Sequence, residues 1–158
     1  MRKTSRTPAG EFLTGIILDF FRLNSGLLTA GDRLVASLGL TSARWQILGA
    51  IVAAERPRPV SWLARDLGAN RQNVQRIVND LAGDGLVHFD ANPHHRRAQL
   101  VVLTDKGRQA LDAAMNLQAP WVNRLSDGLD VDEIKAAHRV VMRLQANLDD
   151  MTESDDLD

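Results

Sequence analysis

The feature that most constrains the fold is a long helical pattern near the N-terminus. From Phe12 to Leu38, apolar residues recur every three or four positions, which is the spacing of one helix face. At 1.5 Å per residue, such a helix would extend for roughly 40 Å. Its opposite side also carries apolar residues, among them Phe21 and Leu28, so one neighbouring element cannot bury it. The pattern therefore predicts a helix that a second subunit helps to bury.

Composition narrows the class of protein. The 158 residues are enough for one domain or one domain with an extension, and an aromatic content of only 4% favours helices with an aliphatic core. The absence of cysteine excludes disulfides, thiolate metal sites and a cysteine nucleophile. The apolar runs look too short to span a membrane, and the basic first ten residues lack the apolar segment of a secretory signal. We therefore expect a soluble, cytoplasmic protein with no membrane partner.

Charge is unevenly distributed along the chain, although the net charge is only −1. Residues 55–108 hold nine Lys and Arg against six Asp and Glu, whereas residues 127–158 hold three basic against ten acidic side chains. A polyanionic partner would therefore meet the middle of the chain. Ordinary surface charge explains the same distribution, so charge alone does not decide between the two.

Three helices are predicted in the middle of the chain. Their ranges and caps are 42–54 after Thr41, 62–67 after Ser61, and 71–83 after Asn70. The last of them has an apolar stripe composed of Val74, Ile77, Val78 and Leu81. At 100° per residue, the opposite face consists of Gln72, Arg76 and Asn79, with Asn73 and Gln75 beside them. The exposed face of this helix is therefore built from amides and a guanidinium.

The stretch NPHHRRAQL, residues 92–100, lies between two β-compatible runs and is predicted to form the tip of a hairpin. Its histidines and arginines allow three interpretations: a metal site, a catalytic histidine pair, or a basic tip that binds nucleic acid. A metal site would need more ligands, and only His88 and His138 remain as histidines, with few carboxylates nearby. A catalytic pair would need a nucleophile or an orienting carboxylate. We expect exposed loop histidines, with no metal, no cofactor and no enzymatic activity.

The order of elements predicts a helix-turn-helix followed by a wing. A helix that enters the major groove needs an apolar face to hold it on the domain and amide or guanidinium groups to meet base edges. A basic wing tip suits the minor groove, whose negative potential attracts arginine. These features favour binding to double-stranded DNA. The alternative is a winged-helix dimer that acts as a protein–protein interaction module.

Four segments resemble the MarR family of winged-helix transcriptional regulators. They are LTSARWQILGAI at 40–51, VSWLARDLG at 60–68, NRQNVQRIVNDLAGDGLV at 70–87, and NPHHRRAQLVVLTDKG at 92–107. The resemblance covers about residues 11–150, and the wing motif followed by Leu-Thr-Asp-Lys-Gly is its most specific part. It implies a homodimer, a pseudo-palindromic operator, and repression that a small-molecule ligand releases. One departure is His95, because the family usually has Asp two residues before the inserted arginine, which matches Arg97.

The predicted DNA contacts are Ser61, Arg71, Gln72, Asn73, Gln75, Arg76, His95, Arg96 and Arg97. Arg76 is expected to read a base, although a surface pair with Asp80 is the simpler alternative. Ser61 and Arg71 are expected at phosphates. A pocket for a small aromatic effector could be lined by Phe20, Trp45, Met115 and Trp121, for which core packing is the alternative.

The C-terminal part is predicted to be helical. Thr104 is a suitable cap for a helix to about Ser126, in which Pro120 would produce a kink or break, and Asp130 begins the last helix. The expected fold is mainly α, with a small β-hairpin wing and a helical dimerisation region from both termini. Its parts are a basic flexible arm (1–10), a dimerisation helix (11–40), the winged helix-turn-helix (41–104), dimerisation helices (105–150) and an acidic flexible tail (151–158).

Overall fold

Most of the chain is helical, with a small antiparallel sheet whose first strand precedes the third helix and whose other two strands follow the fourth. The computed structural model describes residues 5–95 and 97–155. The elements are α1 (Pro8–Val35), a 3-10 turn (Ala36–Leu38), α2 (Ser42–Ala53), β1 (Arg58–Pro59), α3 (Val60–Asp66), α4 (Arg71–Gly83), β2 (Val87–Asp90), β3 (Leu100–Leu103), α5 (Asp105–Leu125) and α6 (Val131–Asp155). The predicted winged fold is confirmed. The chain divides into two compact units at Ala119 and Pro120.

Helix α1 begins earlier than the apolar spacing predicts. The hydroxyl of Thr7 accepts a hydrogen bond from the backbone N–H of Gly10 at 3.1 Å, and proline is well suited to the first helical position because it has no N–H to satisfy. Residues 8–10, which the sequence assigned to the arm, are therefore helical. The α-helix ends at Val35, and the 3-10 turn continues the chain to Leu38.

A close approach between α1 and α2 fixes the N-terminal end of the winged unit. The backbone N–H of Ser42 donates to the Asp32 carboxylate at 2.7 Å, and its hydroxyl donates to the Leu28 carbonyl at 2.8 Å. A Cβ atom at position 31 would collide with the Ser42 hydroxyl, so glycine is needed there. Glycine normally weakens a helix, and this close contact with Ser42 explains its presence within α1.

The core of the first unit lies between α2, α3, α4 and the sheet. Its most completely buried members include Ile47, Leu48, Leu63, Leu81, Val74, Val78, Val87 and Val101. The turn after α4 is fixed by Arg44, whose guanidinium pairs with the Asp84 carboxylate, and by Lys106, whose ammonium donates to the Asp84 carbonyl at 2.7 Å. These contacts hold the end of α4 at the start of the hairpin.

The sheet has one more strand than the sequence predicts. Strands β2 and β3 form the expected hairpin, with Val87 opposite Leu103 and Asp90 opposite Leu100. Strand β1 pairs with the other edge of β3 and places Arg58 opposite Val101. Two residues, one of them a proline, give no strand pattern in the sequence. Proline is tolerated here because β1 is an edge strand.

Two local predictions were wrong, and a third is narrowed. Ser61 does not cap α3, because the pairing of β1 fixes the preceding backbone and the helix begins one residue before Ser61. The break that was one alternative at Pro120 is absent, since α5 continues as a helix to Leu125, and the kink stays a prediction. Helix α6 extends to Asp155, so residues 151–155, assigned to the acidic tail, are helical. The caps Thr41, Asn70 and Asp130 accept backbone N–H groups as predicted.

The expectation about apolar length also needs correction. The segment Pro8–Leu38 contains an 18-residue stretch with a mean hydropathy of 1.2, long and apolar enough by composition to cross a membrane. None of that stretch is buried in the described chain. A helix of this kind therefore needs an apolar partner, which a second subunit or a bilayer could supply.

Candidate nucleic-acid interface

Helix α4 separates its residues into a buried stripe and a polar surface. Val74, Ile77, Val78 and Leu81 are buried, which is the predicted stripe. Gln72, Asn73, Arg76 and Asn79 are exposed, and Gln75 is half-buried. The side chain of Asn70 accepts the N–H groups of Gln72 at 2.9 Å and Asn73 at 3.2 Å and so fixes the start of the helix. The packing of the stripe leaves the amides and Arg76 available to a partner.

Hydrogen bonds connect the exposed side chains of α4 to one another. The guanidinium of Arg76 donates to the Asn73 amide oxygen at 3.0 Å and to the Asp80 carboxylate at 3.5 Å. The amide of Gln75 donates to Asn79 at 3.0 Å. The surface pair of Arg76 with Asp80 is therefore present. The two side chains are 68% and 59% exposed, so the pair contributes little stability and can exchange for another acceptor.

A small cleft brings together four of the predicted DNA contacts. Ser61, Arg71, Gln75 and Arg97 line a cavity of about 90 Å³, together with Pro59, Val60, Phe89, Ala98 and Gln99. We call this cavity the phosphate cleft. Its lining contains two guanidinium groups, a hydroxyl and amides, and no carboxylate. Such a surface can neutralise and hydrogen-bond an anionic oxygen.

Asn92 organises the wing turn. Its amide nitrogen donates to the Ala98 carbonyl at 2.9 Å, and its amide oxygen accepts the N–H of His94 at 3.0 Å. The backbone of His95 also donates to the Asn92 carbonyl at 3.3 Å. Sequence reasoning treated Asn92 only as part of a turn signal, and its role in holding the loop was missed. Three hydrogen bonds of Asn92 thus hold the wing turn.

Two of the three predicted wing residues are exposed. His95 and Arg97 are both on the surface, and Arg96 lies outside the described residues. Within residues 5–95 and 97–155, the His95 imidazole makes no hydrogen bond or ion pair. Over the same residues, no group of three His, Asp or Glu side chains is arranged to hold a metal ion. The wing therefore presents basic side chains on a turn that backbone and amide contacts define.

Several arginines of the winged unit form no salt bridge within the described residues. Arg6, Arg22, Arg44 and Arg76 each form a salt bridge. In the part of the chain that the structure describes, Arg56, Arg58, Arg65, Arg71 and Arg97 form none. An unpaired guanidinium has no internal carboxylate to release before it binds an external anion. Arg33 and Arg108 are also unpaired among the described residues, so pairing alone does not define the surface. Guanidinium groups that line one cavity, as Arg71 and Arg97 do, are typical of a nucleic-acid interface.

The four residues predicted to line an effector pocket differ in exposure. Trp45 is half-buried and packs against the core, where its ring lies close to Gly31. Phe20 and Met115 are exposed, and Trp121 is half-buried in the second unit. Effector binding by the set stays a prediction.

Comparison with known proteins agrees with this geometry. The model of the MarR family matches residues 38–98. An uncharacterized protein of Mycobacterium tuberculosis, Rv2011c, is 38% identical over 129 residues, which are 82% of this chain and 89% of that protein. The transcriptional activatory protein BadR of Rhodopseudomonas palustris is 30% identical over 147 residues, covering 87% and 80% of the two chains. The crystal structure of the M. tuberculosis regulator MosR in complex with DNA has a similar fold, with a TM-score of 0.70, 24% identity, and coverage of 84% and 96%.

Proposed function

The chain belongs to the MarR family, and from that premise we propose that it is a sequence-specific regulator of transcription that binds double-stranded DNA as a homodimer. The observation that carries the proposal is the phosphate cleft, which places Ser61, Arg71, Gln75 and Arg97 around one cavity without a carboxylate. Polar atoms from α3, α4 and the wing can contact one DNA backbone there. The same helix α4 then directs Arg76 and the exposed amides toward base edges.

We assign different roles to the predicted contacts. Gln72, Asn73, Gln75 and Arg76 would read the major groove, since amides and guanidinium groups make paired hydrogen bonds to bases. Ser61 and Arg71 would bind phosphates, and the wing residues His95, Arg96 and Arg97 would contact the minor groove or its flanking phosphates. On binding, the Arg76 guanidinium would release the Asp80 carboxylate and contact DNA instead.

We propose that a second copy of the chain covers the apolar surfaces of the terminal helices, over residues 11–40 and 105–150. Along α1, Phe12 and Phe21 are 81% and 70% exposed. A bilayer is the less favourable partner because Asp19 and Arg22 form an exposed ion pair within the apolar segment, and charges are costly there. We propose that the dimer lies in the cytoplasm. We also propose that it acts by binding, without catalysis. Its two α4 helices would enter major grooves about 34 Å apart on a pseudo-palindromic operator.

We further propose that the bound dimer represses transcription and that a small aromatic ligand releases it. A dimer on a promoter excludes the polymerase, whereas BadR is named as an activatory protein, so a reporter gene must decide the sign. Phe20, Trp45, Met115 and Trp121 are the residues proposed to surround the effector. A panel of aromatic acids, added to the DNA complex, tests whether any of them lowers affinity.

The experiment that tests DNA recognition begins with genomic fragments of the source organism. The purified protein is used to select bound fragments, and affinity for the enriched duplex is compared with a shuffled duplex by fluorescence anisotropy at several salt concentrations. A regulator should prefer the enriched duplex by about 1,000-fold or more and lose affinity steeply with salt. Equal affinity for both duplexes would contradict the proposal. Weak binding with little dependence on salt would favour the protein-interaction module.

A further inference from the structure

A tryptophan on the surface of the winged unit holds two arginines. Trp62 lies in α3, and 42% of the residue is exposed. The guanidinium carbon of Arg58 is 4.4 Å from the centroid of its ring, and that of Arg65 is 5.4 Å away. Both distances lie within the roughly 6 Å range of cation–π contacts. We call Arg58, Trp62 and Arg65 the arginine–tryptophan cluster.

The cluster concentrates positive charge without an internal counterion. Among the described residues, neither Arg58 nor Arg65 forms a salt bridge. Ordering two long side chains at one exposed ring costs conformational entropy, and the two cations repel each other. An anion that contacts both guanidinium groups would reduce that repulsion. The cluster therefore has the electrostatic character of an anion-binding surface.

A groove connects the cluster to the wing. Arg58 and Trp62 line a cavity of about 440 Å³ together with Arg56 and His94, and no carboxylate is among its lining residues. Pro59 lines both this groove and the phosphate cleft. The groove and the cleft thus share Pro59 of β1 as a common lining residue. A strand of DNA backbone that passes the cleft can reach the groove.

We propose that Arg58 and Arg65, positioned by Trp62, bind phosphates of the operator backbone next to those bound in the phosphate cleft. This inference rests on the proposed function. A guanidinium stacked on an indole by its face keeps its N–H edge free, and that edge matches the oxygens of a phosphate. Duplex DNA fits the groove better than a single small anion, because its phosphates are regularly spaced and can meet both arginines. The contact adds affinity without reading sequence.

The first test uses an Arg58→Ala, Arg65→Ala double variant and the duplex enriched from genomic fragments. Four phosphate contacts per dimer would be lost, so the slope of log affinity against log salt should decrease by roughly 3 to 4. The ratio of wild-type affinity to variant affinity for the duplex should therefore fall about 100-fold when the salt concentration rises from about 50 to 200 mM. The matched control is Arg108→Ala, an exposed arginine in the first turn of α5 that lines neither the groove nor the cleft. It should keep the wild-type slope.

Ethylation interference locates the lost contacts. Wild-type binding should be blocked by ethylation of a set of phosphates in each half-site. In the double variant, a discrete subset should no longer interfere, adjacent to the subset that Arg97→Ala removes. Trp62→Ala should remove the same subset although both arginines are present, whereas Trp62→Phe should retain it, because a phenyl ring can still hold a guanidinium. A purely structural role for Trp62 would weaken binding without selecting those positions.

The outcomes separate this inference from the function on which it rests. If the wild-type protein prefers the enriched duplex but the double variant has an unchanged salt slope and interference pattern, the cluster does not bind DNA and only this inference is overturned. If the wild-type protein shows no preference for any duplex, both are overturned. Loss of the predicted subset of phosphates supports both.

Discussion

The winged unit and the terminal helices differ in how far a single chain buries their large apolar side chains. Within the winged unit, Leu48, Leu63 and Leu81 are almost completely buried by one chain. Along α1 and α6, in contrast, many large apolar side chains remain exposed, including Phe12, Leu18, Phe21, Leu23, Val140, Met142 and Leu148. Exposed apolar area of this extent is characteristic of an interface. The comparison indicates that one chain completes the core of the winged unit, whereas the terminal helices need an apolar partner, which we propose is a second copy.

The change with the largest expected effect is Phe21→Glu, which should dissociate the dimer without unfolding the winged unit. Phe21→Glu would place two unpaired carboxylates in the proposed interface and should raise the dimer dissociation constant by about 1,000-fold or more. The core of the winged unit should remain folded, since Phe21 is 70% exposed in the single chain. Sedimentation velocity and circular dichroism measure the two properties. Arg22→Glu, at an exposed charged position of the same helix, is the control and should stay dimeric. A dimer that survives Phe21→Glu would place the interface elsewhere.

A second change, Leu48→Ala, should destabilise the winged unit, whose core is formed by one chain. Leu48→Ala removes a side chain that is 0% exposed, and the cavity should lower the free energy of unfolding by about 2–5 kcal/mol. Urea unfolding followed by circular dichroism measures this loss. Its size should not depend on protein concentration, because the cavity lies inside each chain. A loss that grows on dilution would show that the winged unit also depends on the second copy.

Alanine substitutions of Arg76 and Arg97 should distinguish contacts that read bases from contacts that bind phosphates. Arg76→Ala should cost about 1–3 kcal/mol of binding to the enriched duplex and relax the preference at one base position. Arg97→Ala should instead weaken binding to all duplexes and lower the salt slope by about 1 per contact. Anisotropy on single-base variants of the duplex distinguishes the two patterns. If Arg76→Ala weakens every duplex equally, α4 does not read bases through this side chain.

The smallest effect concerns the turn between α2 and β1. Glu55 has a φ of +57°, a conformation that disfavours side chains with a Cβ. Glu55→Gly should therefore raise the stability of the winged unit by a few tenths to about 1 kcal/mol. Differential scanning calorimetry measures the change, and Glu55→Ala serves as the control because it keeps the Cβ. Equal effects of the two substitutions would mean that the lost carboxylate, and not the backbone conformation, is responsible.

Local patterns in the sequence predicted much of the winged unit. The apolar stripe of α4, the cap at Asn70 and the β2–β3 hairpin depend on residues close together in the chain, and the structure contains all three. Strand β1 and the close approach at Gly31 depend on distant partners. Periodicity cannot reveal these, because β1 has two residues and the partner of Gly31 is on another helix.

The candidate site likewise combines features that the local sequence predicted with features that depend on distant contacts. Residue types alone identified the polar face of α4 and the basic wing. The shared cleft could not be predicted, because it depends on how α3, α4 and the wing meet in space. Asn92 was recognisable only as a turn residue, since its two hydrogen bonds connect it to loop positions whose geometry the sequence does not specify. The arginine–tryptophan cluster was missed because Arg58 lies on the unpredicted strand.

Hydroxyl-radical footprinting on the enriched duplex tests the central claim most directly. A homodimer that reads DNA with two α4 helices should protect two segments related by approximate twofold symmetry, with centres about 10 base pairs apart. The Phe21→Glu monomer should lose this paired protection at the same protein concentration. A single protected segment, or uniform protection along the whole fragment, would contradict the account of a dimeric, sequence-specific DNA-binding regulator.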